Sequence, residues 1–191
     1  AETIDSTELT LSYQKGEVLV KVNGYYNHTE NLLNGQPVSF VNQQGKIISQ
    51  NSFINSQQDY SVYGAEFEVQ WRFLKNWQIN AFLSQSKPKS NSQEASVDIA
   101  KFKSMLSLTG VLRWFTVNFV QTYHGDISAN LEDISRFDVT ISKQSRWYNK
   151  NISAYIKILN VFDQKNYHSF DNEVGNPLPQ REVSMGFSYQ F

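Results

Sequence analysis

Three histidines, His28, His124 and His168, are the only imidazoles in the 191-residue chain. Two directly follow a tyrosine, as Tyr123-His124 and Tyr167-His168. Imidazole and carboxylate suit iron-type ions, so Asp126, Asp133 or Asp163 could complete a metal or iron-chelate site. The spacing matches no local ligand motif, however, so no metal ligand is assigned, and polar loop residues are the plainer reading. Tyr25, Tyr26, Phe53, Tyr60, Tyr167 and Phe170 fall in polar stretches. Aromatic faces there can stack on a flat or greasy small molecule. The candidate ligand-binding set is therefore Tyr25, His28, Tyr60, Tyr123, His124, Tyr167 and His168. Catalysis has thinner support. There is no G-x-S-x-G, H-E-x-x-H or phosphate loop, and His124-Gly125-Asp126 alone does not make an acid–histidine pair. No catalytic residue and no cofactor is assigned.

What must position these residues is read from the rest of the chain. There is no cysteine, hence no disulfide framework and no thiolate zinc site. The net charge of -1 comes from interspersed acids and bases. No basic stripe tracks a phosphate backbone, which argues against nucleic acid as a partner. The mean hydropathy of -0.48 has the look of a soluble protein. A membrane β-barrel gives the same average, because only alternate residues face lipid.

Period-two alternation runs from end to end and predicts about nine strands. "STELTLSY" sets Leu9, Leu11 and Tyr13 against Glu8, Thr10 and Ser12; "VLVKVNGYYN" sets Val18, Val20 and Val22 against Lys21, Asn23 and Tyr25. "GAEFEVQWRF" is the cleanest, with Ala65, Phe67, Val69, Trp71 and Phe73 against Glu66, Glu68, Gln70 and Arg72. "WQINAFLSQS", "FKSMLSLTGVL", "FTVNFVQTYH", "RFDVTISKQ", "NISAYIKIL" and "REVSMGFSYQF" follow. Connections near Lys15-Gly16, Lys75-Asn76, Arg113-Trp114 and Tyr148-Asn149 are short. Those at 29–59, 87–100, 125–134 and 160–180 are long and polar. Short turns at one end and long loops at the other describe an antiparallel up-and-down transmembrane β-barrel whose long loops lie outside the cell.

Trp71, Trp77, Trp114 and Trp147 all lie beside short turns. Indole settles at headgroup depth, so these four, with the terminal Phe191, are expected to form a membrane girdle. Tyr25, Tyr26, Tyr60, Tyr63 and Tyr123 stand at the opposite strand ends as a second belt. A one-residue slip of "AEFEVQWRF" would turn Glu66, Glu68 and Arg72 toward lipid, so alternation fixes which face is wet. Lys21 could pair with Glu66 or Glu68 on that wet face, and plain solvated wall charges are the alternative reading. Lys87, Lys89, Lys101, Lys103 and Arg181, near the long loops, could meet lipopolysaccharide phosphates or merely solvate the loops.

Three stretches together resemble TonB-dependent outer-membrane receptors: "YGAEFEVQWRFLKNWQINAFLSQS", "IKILNVFDQKNY" and "REVSMGFSYQF". In the second, Asn160, Val161, Phe162, Asp163 and Tyr167 match the family's Asn-Val/Leu-Phe-Asp-x-x-Tyr loop. "LPQREVSM" departs from the commonest approach to the tail, which leaves the subfamily and its ligand open. The resemblance implies that residues 1–191 are the C-terminal section of a larger barrel, with the plug domain outside this chain. It also implies partners: outer-membrane lipid and lipopolysaccharide, a scarce small-molecule nutrient such as an iron-siderophore complex, and TonB acting through the missing N-terminal part. Two other readings stay open: a small complete barrel acting as pore or membrane enzyme, and a soluble all-β binding module.

Overall fold

The computed structural model describes residues 2–31, 33–41, 44–55, 59–90, 100–125, 133–147, 150–165 and 180–190. The strands are β1 (Thr3–Lys15), β2 (Val18–Glu30), β3 (Leu33–Val41), β4 (Ile47–Asn55), β5 (Tyr60–Leu74) and β6 (Trp77–Ser90). They continue as β7 (Phe102–Val111), β8 (Thr116–Gly125), β9 (Ile134–Trp147), β10 (Lys150–Leu159) and β11 (Glu182–Gln190). Nine of them form one sheet, β1-β2-β5-β6-β7-β8-β9-β10-β11, each joined antiparallel to the next. The wall is an open section of barrel, with β1 and β11 at its edges.

The stretch expected to be a plain loop at 29–59 instead carries a second, two-stranded sheet, β3–β4, which turns at Gly45 with φ 76°. Its apolar residues are broken up by Asn, Gln and Ser, so period two is faint there. Backbone pairing needs no apolar face. Elsewhere the strands outrun the sequence reading at the long-loop end: β2 reaches Glu30, β5 starts at Tyr60 and β6 reaches Ser90. The 13 to 15 residues of β1, β2, β5 and β6 span roughly 44–51 Å at about 3.4 Å each, well beyond an apolar band of about 25 Å. The surplus projects toward the long loops.

Register sorts the side chains. One outward row runs Val18, Trp71, Ile79, Leu108, Phe119, Val139, Ile158, Val183. It begins beside the Gly16-Glu17 turn and ends near the long loop before β11, so successive strands are staggered as in a tilted barrel. Outward residues are apolar and bare: Leu11 is 65% exposed, Leu106 52% and Phe187 71%. Among the described residues only Tyr60, Ala100 and Val117 are buried hydrophobics. A soluble sandwich would need a packed core between two layers, and this sheet has none, which overturns the soluble-module reading.

The inward face is polar and bonded to itself. Thr10 Oγ1 donates to Asn23 Oδ1 at 2.9 Å, and Asn23 Nδ2 to Glu66 Oε2 at 3.3 Å. Asn118 Nδ2 reaches Ser107 Oγ at 3.0 Å and Thr109 Oγ1 at 2.8 Å. Lys21 stands opposite Glu68, with Nζ 3.5 Å from Oε2, as alternation led us to expect. Glycine lets aromatic rings lie down across the pairing: a Cβ on Gly110 would meet the Trp77 ring at 2.6 Å, and one on Gly186 the Tyr155 ring at 2.4 Å. Both are directly opposed pairs, so each ring covers its partner's bare backbone.

Two outcomes follow for the intact barrel refolded in lipid vesicles. Phe67→Arg, on the outward row, lowers unfolding free energy by about 2–4 kcal/mol if it sits at mid-bilayer, whereas Gln70→Arg on the inward face costs under about 1 kcal/mol. Urea titration followed by tryptophan fluorescence reads the difference. Lys21→Glu costs about 0.2–1 kcal/mol, because both partners are nearly half exposed. Adding Glu68→Lys restores the loss in a double-mutant cycle.

Candidate functional site: the long-loop end of the wall

The most tightly bonded feature of the wall is the turn that leaves β10. Asn160 is 1% exposed and takes a left-handed φ of 49°, a conformation that asparagine tolerates better than most residues. Its backbone N–H donates to Asp138 Oδ1 on β9 at 2.9 Å. Its side chain brackets Gln164, with Oδ1 accepting the Gln164 N–H at 3.0 Å and Nδ2 donating to the Gln164 carbonyl at 2.9 Å. Asp163, at φ 54°, donates its N–H to the Asn160 carbonyl at 2.8 Å. Asp163 Oδ1 then accepts the backbone N–H of Arg181 at 2.8 Å, just before β11. The two ends of the 160–181 loop are thereby fastened together. Phe162 stacks on Phe137 at 5.5 Å, and Val161 N–H donates to the Phe137 carbonyl at 2.8 Å.

Asp138 supports this turn from below. The residue is 7% exposed; Oδ1 accepts from Asn160 and Oδ2 lies 3.0 Å from Arg136 Nη2. Sequence reading passed over Asp138 and Arg136 because each looks like any inward polar residue of a strand. Only the register that puts β9 beside the Asn160 turn singles them out.

Of the candidate ligand residues, the structure turns some inward and others outward. Tyr25, Tyr60 and His124 face inward, on the side of Lys21 and Glu68. Tyr25 lies across Gly64, where a Cβ would meet its hydroxyl at 2.6 Å. The Tyr60 hydroxyl is buried and has no hydrogen-bond partner among the described residues. His124 stands opposite Lys103. β8 is three inter-strand steps from β5, about 14 Å at ~4.8 Å per step, and the row of His124 meets β5 at Glu66, six residues or roughly 20 Å along the strand from Tyr60. A ligand touching both Tyr60 and His124 has to be large.

His28 and Tyr123 face the other way. His28 stacks on Tyr26 at 6.4 Å, with Nδ1 2.9 Å from Ser61 Oγ and Nε2 3.6 Å from a Glu30 carboxylate oxygen. Tyr123 packs against Phe102 at 6.0 Å and donates its hydroxyl to the Asp133 carboxylate. The expected second tyrosine belt is therefore split: Tyr26, Tyr63 and Tyr123 are outward, Tyr25 and Tyr60 inward. His28 and His124 lie on opposite faces, and no group of metal-ligating side chains forms among the described residues. Tyr167, His168, Asp126 and Phe170 lie outside the described residues, as does Phe191.

At the short-turn end Trp71 and Trp77 face outward, and Trp71 packs on Phe73 at 5.4 Å. Trp114 is 64% exposed, with Arg113 Cζ 5.0 Å and Lys143 Nζ 5.9 Å from its ring. Trp147 ends β9 at the same edge, its side chain outside those described.

A nine-stranded antiparallel wall, bare and apolar outside and polar inside, matches the model of the outer membrane protein β-barrel family over residues 1–189. The chain belongs to that family. The protein is thus an outer-membrane β-barrel protein. No curated protein sequence matches it. Among solved structures it is similar to the copper transporter OprC, with a TM-score of 0.73 at 14% identity. It is likewise similar to the siderophore receptor PirA of Acinetobacter baumannii (0.70, 14%) and the ferric yersiniabactin uptake receptor FyuA of Yersinia pestis (0.70, 17%). Each match covers 100% of this chain but only 31%, 32% and 30% of the other. At such identities the likeness is one of fold, and it agrees with the resemblance carried by the three motifs.

The clasp gives a test. In the intact protein, Asn160→Ala keeps the backbone bond to Asp138 but strips both side-chain bonds from Gln164 and leaves alanine at a left-handed φ, a loss of about 1–3 kcal/mol. Limited proteolysis then cuts within 166–179 several times faster than in the parent, while Ser188→Ala, at the far end of β11, leaves the rate unchanged.

Proposed function

We propose that this chain is a section of the barrel wall of an outer-membrane receptor that takes up a scarce nutrient, such as an iron-siderophore complex. In this reading the plug domain lies elsewhere in a longer protein, and TonB acts through it. One observation carries the reading: the whole chain superposes on about a third of three proteins described as a copper transporter, a siderophore receptor and a ferric yersiniabactin uptake receptor. The site geometry supports a binding role over a catalytic one. Tyr25, Tyr60 and His124 face inward at the long-loop end, too far apart to share an atom.

The decisive experiment uses the intact gene product in its own outer membrane. Cells starved of iron take up a radiolabelled ferric chelate in a manner that needs the proton-motive force, and deletion of the gene abolishes the uptake. Purified protein binds the same chelate, and Tyr60→Ala or His124→Ala weakens binding roughly threefold to tenfold by removing one contact. Uptake that is unchanged on deletion, across iron, copper and other chelates, refutes the proposal.

A further inference from the structure

On the outward face the side chains change character along each strand toward the long loops. β6 presents Trp77, Ile79, Ala81 and Leu83 outward, then Gln85, Lys87 and Lys89. β5 runs Phe67, Ala65, then Tyr63 and Ser61; β2 runs Val22, Gly24, then Tyr26 and His28. These changes fall in line across three strands: Tyr26, Tyr63 and Lys87 share one row, and His28, Ser61 and Lys89 the next. The apolar band thus ends in step on β2, β5 and β6, and two lysines stand just past its edge.

The patch is organised around those lysines. Tyr26 and His28 stack, and both reach Ser61 Oγ, Tyr26 through its hydroxyl at 3.2 Å and His28 through Nδ1 at 2.9 Å. Glu30 lies 3.6 Å from His28 Nε2, and Asp5 stands opposite His28, so local acid is directed to the imidazole. Lys87 and Lys89 are exposed, and neither has an ion-pair partner among the described residues. Tyr63, Gly64, Ala65, Gln85, Ser86 and Lys87 also line a hollow of about 360 Å³. Outward-facing cations past the apolar edge of a membrane wall sit at headgroup depth, where an ammonium attracts phosphate. Tyrosine beside them suits the boundary between acyl chain and headgroup.

We propose that Lys87 and Lys89, flanked by Tyr26, Tyr63 and His28, form a binding surface for the phosphate-bearing headgroup of an outer-leaflet lipopolysaccharide. The lysines take the phosphates and the tyrosines the glucosamine–acyl boundary. This assigns His28 to the lipid rim rather than to the ligand path inside the barrel. It rests only on the orientation of the wall, and stands or falls separately from the nutrient proposed above.

The test uses intact protein in nanodiscs doped with bisphosphorylated lipid A, its dephosphorylated form, or phosphatidylglycerol at equal mole fraction. Retained lipid is measured by native mass spectrometry. The parent keeps bisphosphorylated lipid A over the dephosphorylated form, and Lys87→Gln/Lys89→Gln lowers that retention about tenfold to thirtyfold, as expected for two interfacial lysines. Lys87→Arg/Lys89→Arg restores it, and Lys15→Gln/Lys75→Gln at the short-turn end does not change it. Heat-modifiable migration in gels checks that each variant is folded; should the glutamine pair misfold, Lys87→Gln alone is read against Lys87→Arg. Equal retention in the glutamine variant, no preference for the phosphorylated lipid, or equal preference for phosphatidylglycerol each overturns the proposal. Nutrient binding is unaffected by these substitutions.

Discussion

Hydrocarbon offers a peptide group no hydrogen-bond partner, and the rest of this structure answers to that fact. Each unsatisfied N–H or C=O in lipid costs several kcal/mol, so a chain that crosses as strands must pair them side to side without gaps. The nine-strand wall does so through continuous antiparallel ladders from β1 to β11. Once the ladders are fixed, so is the face of every side chain. The outward row from Val18 to Val183 and the inward Thr10–Asn23–Glu66 chain follow from one choice of register. β1 and β11 are the edges of this section, where the ladder has no neighbour among the described residues.

Backbone pairing also explains the places where side chains break the outside-apolar, inside-polar rule. Gln121 is outward, in the row of Ala81 and Leu106, yet its Nε2 donates to Ser135 Oγ at 2.8 Å and to the Thr122 carbonyl at 3.1 Å. Its amide donors are therefore engaged by the wall itself. Phe82 and Met105 are the converse, apolar residues opposite one another on the wet side. Inward polarity is set by access to water rather than by a penalty for carbon, so the inner face tolerates them.

Much of this was legible from the chain. Period-two runs located all nine wall strands, and the clean alternation of 65–73 gave the inner and outer faces before any coordinates. Where the reading fell short, the reason is that one-dimensional patterns carry no register between distant strands. Tyr123 and His124 are neighbours in sequence and opposite in direction. The second tyrosine belt divides for the same reason. The β3–β4 hairpin escaped because hydrogen bonds between Ser-, Asn- and Gln-rich segments leave no hydrophobic signature. Asn160 and Asp163 were visible as a family motif, but their partners Asp138 and Arg181 were not, since the bonds that join them cross from one strand to another.

The clasp between Asp163 and Arg181 separates what must stay constant from what is free to vary. With the loop ends fastened at the rim, the chain between them can lengthen at an entropic cost of only about 0.6 kcal/mol per doubling. Residues there can change without moving β10 or β11. A wall built this way can vary the length and chemistry of its rim while its membrane anchorage stays as it is.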